Sequence, residues 1–449
     1  MSKRFLITTA VIIFLCSSIP YFGCTKQNYN DLNARLSAGW VKNAVIYEIN
    51  LRSISKDRSF KALEGQIPEL KNLGITVISL MPIHPIGELN RRGILGSPYA
   101  IKDFYTVNTK FGTLEDFKSL VNTTHQQGLK IIINLVANQA AWDSQLLMEH
   151  PDWFVHNEEG AIVSPSFEQS DVAQIDYNKH ELRKYMIAMM KFWIQEIGID
   201  GFQCSAPELI PMDFWNITRN ELDRIKPVLM IAESRLPEYH IKAFDLTCSW
   251  NMNSTFENII GCTVPASIIN DSLNAEFLQF PKGSMHLRFK TAHDENIEDA
   301  SGIEEFNPQI AKTSAILSFT LPGVPVIYTN DKLENNKRKD QFDKLYEDLC
   351  ILHQNHPALR SGSYQKVQNS DSSRLFSFIR FSGKDSVLIV VNFANEKKEV
   401  DIHMPAGASL LWKDQFSGVS VKVKNSRLRI GVLPLGFLTL APSSEKEML

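Results

Sequence analysis

Eight short apolar runs punctuate the first three quarters of this chain, and their number and spacing limit the folds open to it. AVIYEINL (44–51), ITVISLMPI (75–83) and LKIIINLV (129–136) come first. GFQCS (201–205), VLMIAES (228–234), LTCSW (246–250), MHLRFK (285–290) and VPVIYT (324–329) follow. Near-continuous apolar runs of this length suit parallel strands covered on both faces. Helical patterns lie between them. Thr113 opens one, with Asp116 three residues on, a buried stripe of Leu114, Phe117, Leu120 and Val121, and Gly128 at its end. A second runs from His180 through Leu182, Met186, Met189, Trp193 and Ile197 to Gly198. Eight strands alternating with helices over roughly 250–300 residues predict an α/β, TIM-type (β/α)8 barrel, here spanning 40–356. The longer interval 140–176 reads as a small insertion after the third strand, on the face where barrel sites lie. Beyond His356-Pro357 the runs LFSFIRF, SVLIVVNFA, ASLLWKD and RLRIGVLPLGFLTL are separated by turn residues, which predicts a C-terminal antiparallel β-sandwich over 357–449. Asn330 to Asp340 reads as a solvated polar loop.

The N-terminus has a separate logic. Lys3 and Arg4 precede an apolar stretch, Phe5 to Cys16, that is too short to span a bilayer, and Ser17, Ser18 and Pro20 break it. Residues 1–24 are therefore expected to be an export signal, with 25–39 as a linker. Tyr21-Phe22-Gly23-Cys24 is similar to a bacterial lipoprotein cleavage site with Cys24 as the lipidated residue, although Tyr21 departs from the usual aliphatic residue. The expected location is an exported, membrane-anchored bacterial lipoprotein, periplasmic or at the cell surface. An ordinary secretory peptide cut nearby is the alternative. A net charge of -3 without basic runs argues against nucleic acid as a partner. Cys204, Cys248, Cys262 and Cys350 lack metal-ligand spacing, and Cys204 and Cys248 read as small core residues.

Sequence detail then adds to the architecture. WVKNAVIYEINLRS, GITVISLMPIHPIG, LGSPYAIKDFYTVNTKFGTLEDF and IGIDGF resemble the first two barrel strands, the following loop and helix, and the lead into the fourth strand of the α-amylase family, glycoside hydrolase family thirteen. The resemblance covers nearly all of the chain after the signal. It implies α-linked oligo- or polysaccharide as the ligand and a site at four strand ends. Retaining cleavage needs a carboxylate nucleophile and a carboxylic acid about 5–5.5 Å apart. By the resemblance, Glu233 in MIAES matches the general acid, and Asp294 in FKTAHDEN matches the carboxylate that steadies the transition state. His293 matches a hydroxyl-binding histidine and Tyr99 an aromatic under the sugar. Asn138 is at times a calcium ligand in the family; no cofactor is expected here, with calcium the one candidate.

The chain departs from the family at the chemistry itself. The fourth-strand pattern G-F-R-x-D is Gly201-Phe202-Gln203-Cys204-Ser205, so Ser205 stands at the nucleophile position and Gln203 at its arginine. The third-strand pattern D-x-V-x-N-H has become Asn134 to Gln139, and Ala292 replaces an asparagine. Losing the arginine and aspartate together is physically coherent, because removing one would strand a buried charge at about 3–5 kcal/mol. The two replacements could then hydrogen-bond to each other or to water. Ser205 has no serine-enzyme pattern around it. Asp200 has the wrong parity and sits at the strand's stability end, while Glu208, at a leaving-group-side position of the family, is the remaining carboxylate that could reach in. Trp142 and Trp153 read as packing rather than sugar platforms. The expected function is α-glucan binding with impaired or absent hydrolysis. The alternatives are an active α-glycosidase using Glu233 with an unusual partner, and a non-catalytic scaffold or partner subunit.

Overall fold

The computed structural model describes residues 28–52, 57–249, 263–288, 308–328 and 336–443, with Thr255, Asn258, Ile259 and Gly261 as isolated positions. The signal segment with Cys24, and Cys262, lie outside the described residues. Among the described residues no helix is long and apolar enough to cross a membrane.

The barrel forms as expected. Its strands are β1 (Ile46–Ile49), β2 (Val77–Leu80) and β3 (Lys130–Val136), then, after a small antiparallel pair β4 (Gln139–Ala141) and β5 (Val172–Gln174), β6 (Gly201–Ser205), β7 (Leu229–Ala232), β8 (Leu246–Cys248), β9 (Met285–Arg288) and β10 (Val324–Tyr328). The eight barrel strands are parallel and closed, with Ile46 opposite Val326 on one side and Val77 on the other. Gly201 is required where β6 meets β7. It adopts φ +153°, and a Cβ there would lie 1.9 Å from the Leu229 carbonyl oxygen.

Strand alternation sorts the barrel interior into layers. Ile46, Val77, Ile132, Ile231, Leu246, Cys248 and Val326 belong to one buried apolar cluster inside the barrel. Two residues further along β1, β2, β3 and β7 come Glu48, Ser79, Asn134 and Glu233, so the layer above is polar at the C-terminal mouth. Outward-facing residues pack on the helices in a second and larger core.

The helix Leu114–Gln126 carries the expected capping box, in which Thr113 Oγ1 accepts from the Asp116 N–H at 3.1 Å and Asp116 Oδ2 from the Thr113 N–H at 2.9 Å. The helix from His180 ends in a wider turn over Trp193–Ile197 and stops at Gly198, φ +92°. Of the expected loop Asn330–Asp340, the part from Asn336 onward is corrected to helix, within Asn336–Asn355, and 330–335 lies outside the described residues. The last expected run also divides. Arg427–Val432 and Phe437–Pro442 are separate strands broken at Pro434, with Leu435 at φ +48°. The first of these pairs with Lys398–His403, and the second joins a six-stranded antiparallel sheet; the two sheets share a core of Val400, Ile402, Leu428, Trp412 and Leu440.

The stretch read as a linker is bound to the barrel where it is described. Ala34 N–H donates to Lys282 O at 2.9 Å, and Arg35 N–H to His240 O at 2.8 Å. The Arg35 guanidinium pairs with Asp245, which also accepts from Arg219 at 2.7 Å and from the Met230 N–H at 2.8 Å. Asp245 and Arg219 are buried. Asp245→Asn should therefore lower stability by about 1.5–3 kcal/mol, because the two guanidiniums lose one of the two carboxylates they share and keep only Asp223, at 3.1 Å from Arg35 and 2.9 Å from Arg219. A urea midpoint equal to the parent's would show that this cluster contributes little.

Candidate active site

At the barrel mouth lies a cavity of about 1000 Å³, whose walls include Tyr99, Asn138, Gln139, Asp171, Ser205 and Glu233. The structure thus brings together four of the expected residues (Glu233, Ser205, Tyr99 and Asn138). Glu208 is not among them; it is exposed on a one-turn helix, Pro207–Leu209, past the end of β6. His293, Asp294 and Ala292 lie outside the described residues.

The floor of the cavity is a chain of neutral hydrogen bonds converging on one carboxylate. Gln203 Nε2 donates to Glu233 Oε1 at 2.8 Å, and Asn134 Nδ2 donates to the same oxygen at 2.9 Å. Ser79 Oγ donates to Gln203 Oε1 at 3.1 Å, and Ser205 Oγ to Asn134 Oδ1 at 3.1 Å. Gln203 and Ser205 do not bond to each other. They sit two residues apart on one strand, so their side chains are parallel, and each reaches a neighbouring strand instead.

This geometry bears directly on the chemistry available. Ser205 hands its proton to an amide oxygen, which is no base, and a serine hydroxyl without a base is a poor nucleophile. Between Gln203 and Ser205, Cys204 is buried, and its thiol is pushed well up, first by burial and then by the charge of Glu233. A thiol held protonated in this way is inert. Asp200, at the opposite end of β6, is a structural hub, accepting from His125 at 2.7 Å, the Ile131 N–H at 3.0 Å and Lys130 at 3.2 Å. Burial pushes its carboxyl up, but the His125 hydrogen bond and the Lys226 charge outweigh this and hold it below the usual range.

Asn138 and Gln139 are buried at the start of the insertion, with Asn138 Nδ2 donating to Gln139 Oε1 at 3.2 Å. Asn138 Oδ1 and Asp171 Oδ2 are buried without hydrogen-bond partners, and both residues line the cavity. Oxygens of this type suit calcium in kind, but a calcium shell takes about six to eight. Among the described residues no group of three or more His, Cys, Asp or Glu converges as metal ligands.

Sequence reading missed Ser79, although inward parity at the end of β2 marks it. It also missed Arg52, Arg92 and Asp171. Arg52 Nη1 donates to Gly96 O at 3.0 Å, and the Arg92 guanidinium bonds Glu168 O, which ties the loop before Tyr99 to the insertion. Asp171 sits in an irregular segment without periodicity, and nothing local marks it. Trp142 Nε1 donates to Ser170 O at 2.9 Å, and Trp153 stacks on His150 at 3.8 Å, so both have packing roles.

Comparison with known proteins places these features in context. The family described as alpha amylase, catalytic domain, matches residues 60–159. The chain is 24% identical over 398 residues to alpha-amylase MalA of Haloarcula japonica, covering 82% of this chain and 58% of that protein. It thus spans less than two thirds of that relative. A maltogenic α-amylase, AmyB, from Thermotoga neapolitana superposes with a TM-score of 0.80 at 30% identity, covering 90% of this chain and 99% of that one. An α-amylase from Lactobacillus plantarum gives a TM-score of 0.77 at 25% identity, covering 90% and 99%.

Asn134→Asp tests the neutral floor. It would set a carboxylate at the 2.9 Å contact with Glu233 Oε1, where two charges cannot both persist. A pair forced to keep a proton has a folded pKa above the unfolded value, about 4. Its stability is therefore intact below that value and lost as pH rises. The melting temperature should match the parent's near pH 4 and fall several degrees below it at pH 8. Equal melting at both pH values would show that the Asn134 amide does not hold Glu233.

Proposed function

The chain belongs to the α-amylase family of glycoside hydrolases, proteins of glucan metabolism, and on that premise we propose that it binds α-glucans while hydrolysing them slowly or not at all. We further propose that it does so as an exported lipoprotein anchored through Cys24. The observation that carries the reading is the floor of the cavity. The nucleophile position is a serine bonded to an amide, and the carboxylate at the acid position is engaged by two amide donors. Retaining cleavage takes its nucleophile from a carboxylate, and the serine at that position supplies none, which closes the double-displacement route through it.

Binding is a separate matter from cleavage. A large concave cavity with a half-buried carboxylate, a tyrosine and side-chain amides offers donors, acceptors and a ring face to a sugar. These groups suit a neutral polyol.

Calorimetric titration with maltooligosaccharides should show saturable heat that is sharply reduced in Glu233→Ala; no heat at millimolar sugar would sink the binding reading. Reducing-sugar release should equal the Glu233→Ala background. Release that depends on Glu233 would instead favour an active α-glycosidase.

Reversion gives a second test. Gln203→Arg with Ser205→Asp should restore little activity, because Asn134 remains neutral and the new arginine would face Glu233 at the 2.8 Å position of the present amide. Adding Asn134→Asp should raise activity well above the double variant. Full activity in the double variant would show that Asn134 is not limiting.

A further inference from the structure

The segment ahead of β1 meets the barrel at the end away from Glu233. Ala38, Trp40 and Val41 pack on the apolar cluster inside the barrel. Lys130, which opens β3, holds its ammonium 5.8 Å over the Trp40 ring. Further back, Leu32 O accepts from the Lys282 N–H at 2.8 Å, just ahead of β9. The Arg35 guanidinium reaches Asp223, the last residue of the helix Met212–Asp223, at 3.1 Å. Leu32 N–H donates to Tyr29 O at 3.0 Å and Asp31 N–H to Asn28 O at 3.3 Å, so the chain stays compact back to Asn28. We propose that this face, where the barrel strands begin, docks on the headgroups of an anionic phospholipid bilayer, so that the barrel mouth opens away from the membrane. The proposal rests on the reading of Cys24 as the lipid-bearing residue.

Tether length limits the faces that can meet the bilayer. Four residue steps separate Cys24 from Asn28, at most about 14 Å of chain. Strand β3 alone runs from Lys130 on this face to Val136 in the wall of the mouth cavity, about 20 Å at about 3.3 Å per residue. A tether shorter than the barrel wall keeps the lipid near the strand entries. The rival face is the mouth, where Ile94 is 90% exposed, but it lies at the far end of that wall.

Charge acts in the same direction. Six of the eight barrel strands are entered past a lysine: Lys42, Lys71, Lys130, Lys226, Lys242 and Lys282 precede or open β1, β2, β3, β7, β8 and β9. Lys130 and Lys226 lie on the buried Asp200, at 3.2 and 3.3 Å. The other four are exposed, and among the described residues none of them forms an ion pair. Of the carboxylates on this face, Asp223 is shared by Arg35 and Arg219, and Asp31 accepts from Asn28 Nδ2 at 2.9 Å. Glu69 and Glu196 remain exposed, so the positive surplus is small. A surplus of this size does not hold a protein on a membrane by itself. It orients one that a lipid already keeps at the surface, because the attraction acts within about 8 Å at physiological ionic strength.

The test uses the full-length lipidated protein in vesicles of phosphatidylethanolamine and phosphatidylglycerol, with an energy acceptor on the headgroups. A fluorophore is placed through Asn43→Cys, on the proposed docking face, or through Ile94→Cys, at the mouth; both positions are exposed. Cys204, Cys248 and Cys350 are buried, and Cys262→Ser removes the remaining thiol of the mature chain. Energy transfer from Asn43→Cys should exceed that from Ile94→Cys several-fold. Changing Lys42, Lys71, Lys242 and Lys282 to Gln should lower transfer from Asn43→Cys by about twofold or more, with the melting temperature unchanged. Unchanged transfer in that variant would overturn electrostatic docking. Equal transfer from the two labels, or stronger transfer from Ile94→Cys, in protein that sediments with the vesicles would overturn the docking face and leave the Cys24 anchor standing. Parent protein that stays in the supernatant, as Cys24→Ser should, would overturn both.

Discussion

Closure of β1 onto β10 is the constraint from which the rest of the molecule follows. Once Ile46 is opposite Val326, every strand has two neighbours and no edge is exposed. Strand alternation then has a single inside. Ile46, Val77, Ile132 and Ile231 fill it below, and the residues two places on are forced together at the mouth. Gln203, Asn134 and Glu233 meet because β3, β6 and β7 are adjacent in the barrel, although 69 and 30 positions separate Asn134 from Gln203 and Gln203 from Glu233 in the chain.

What the mouth contains is a balance of charge more than a set of parts. An arginine–aspartate pair on one strand neutralises itself, and deleting both members avoids the large cost of a lone buried charge. In this chain the polar side chains at those positions bond to neighbouring strands. Gln203 takes Ser79 on one side and Glu233 on the other, while Ser205 takes Asn134. Every donor among these side chains that has a recorded bond is spent within the floor, an arrangement that favours order over reactivity.

Much of this was legible in the chain. The eight runs became the eight strands, and Thr113 and Gly198 acted where cap chemistry places them. The substitutions Gln203, Ser205 and Asn134 could be read as a concerted loss of charge. Other features were hidden. The polar run from Asn336 opens the helix Asn336–Asn355, and its lack of an apolar stripe in the sequence left no periodic signal for it. Asp171 reaches the cavity from an irregular insertion, and Tyr105, Tyr185 and Trp153 come together from three separate segments.

The sequence by itself determined the fold class and brought Glu233, Ser205, Tyr99 and Asn138 to the barrel mouth, because apolar period and strand parity are local properties of the chain. Only the tertiary structure decided which partner each neutral side chain would take. Hydrogen-bond choice depends on distances between strands that are far apart in sequence, and parity alone gives a direction without a partner. That is why Gln203 and Ser205 look like a pair in the sequence and turn to different neighbours in the folded protein.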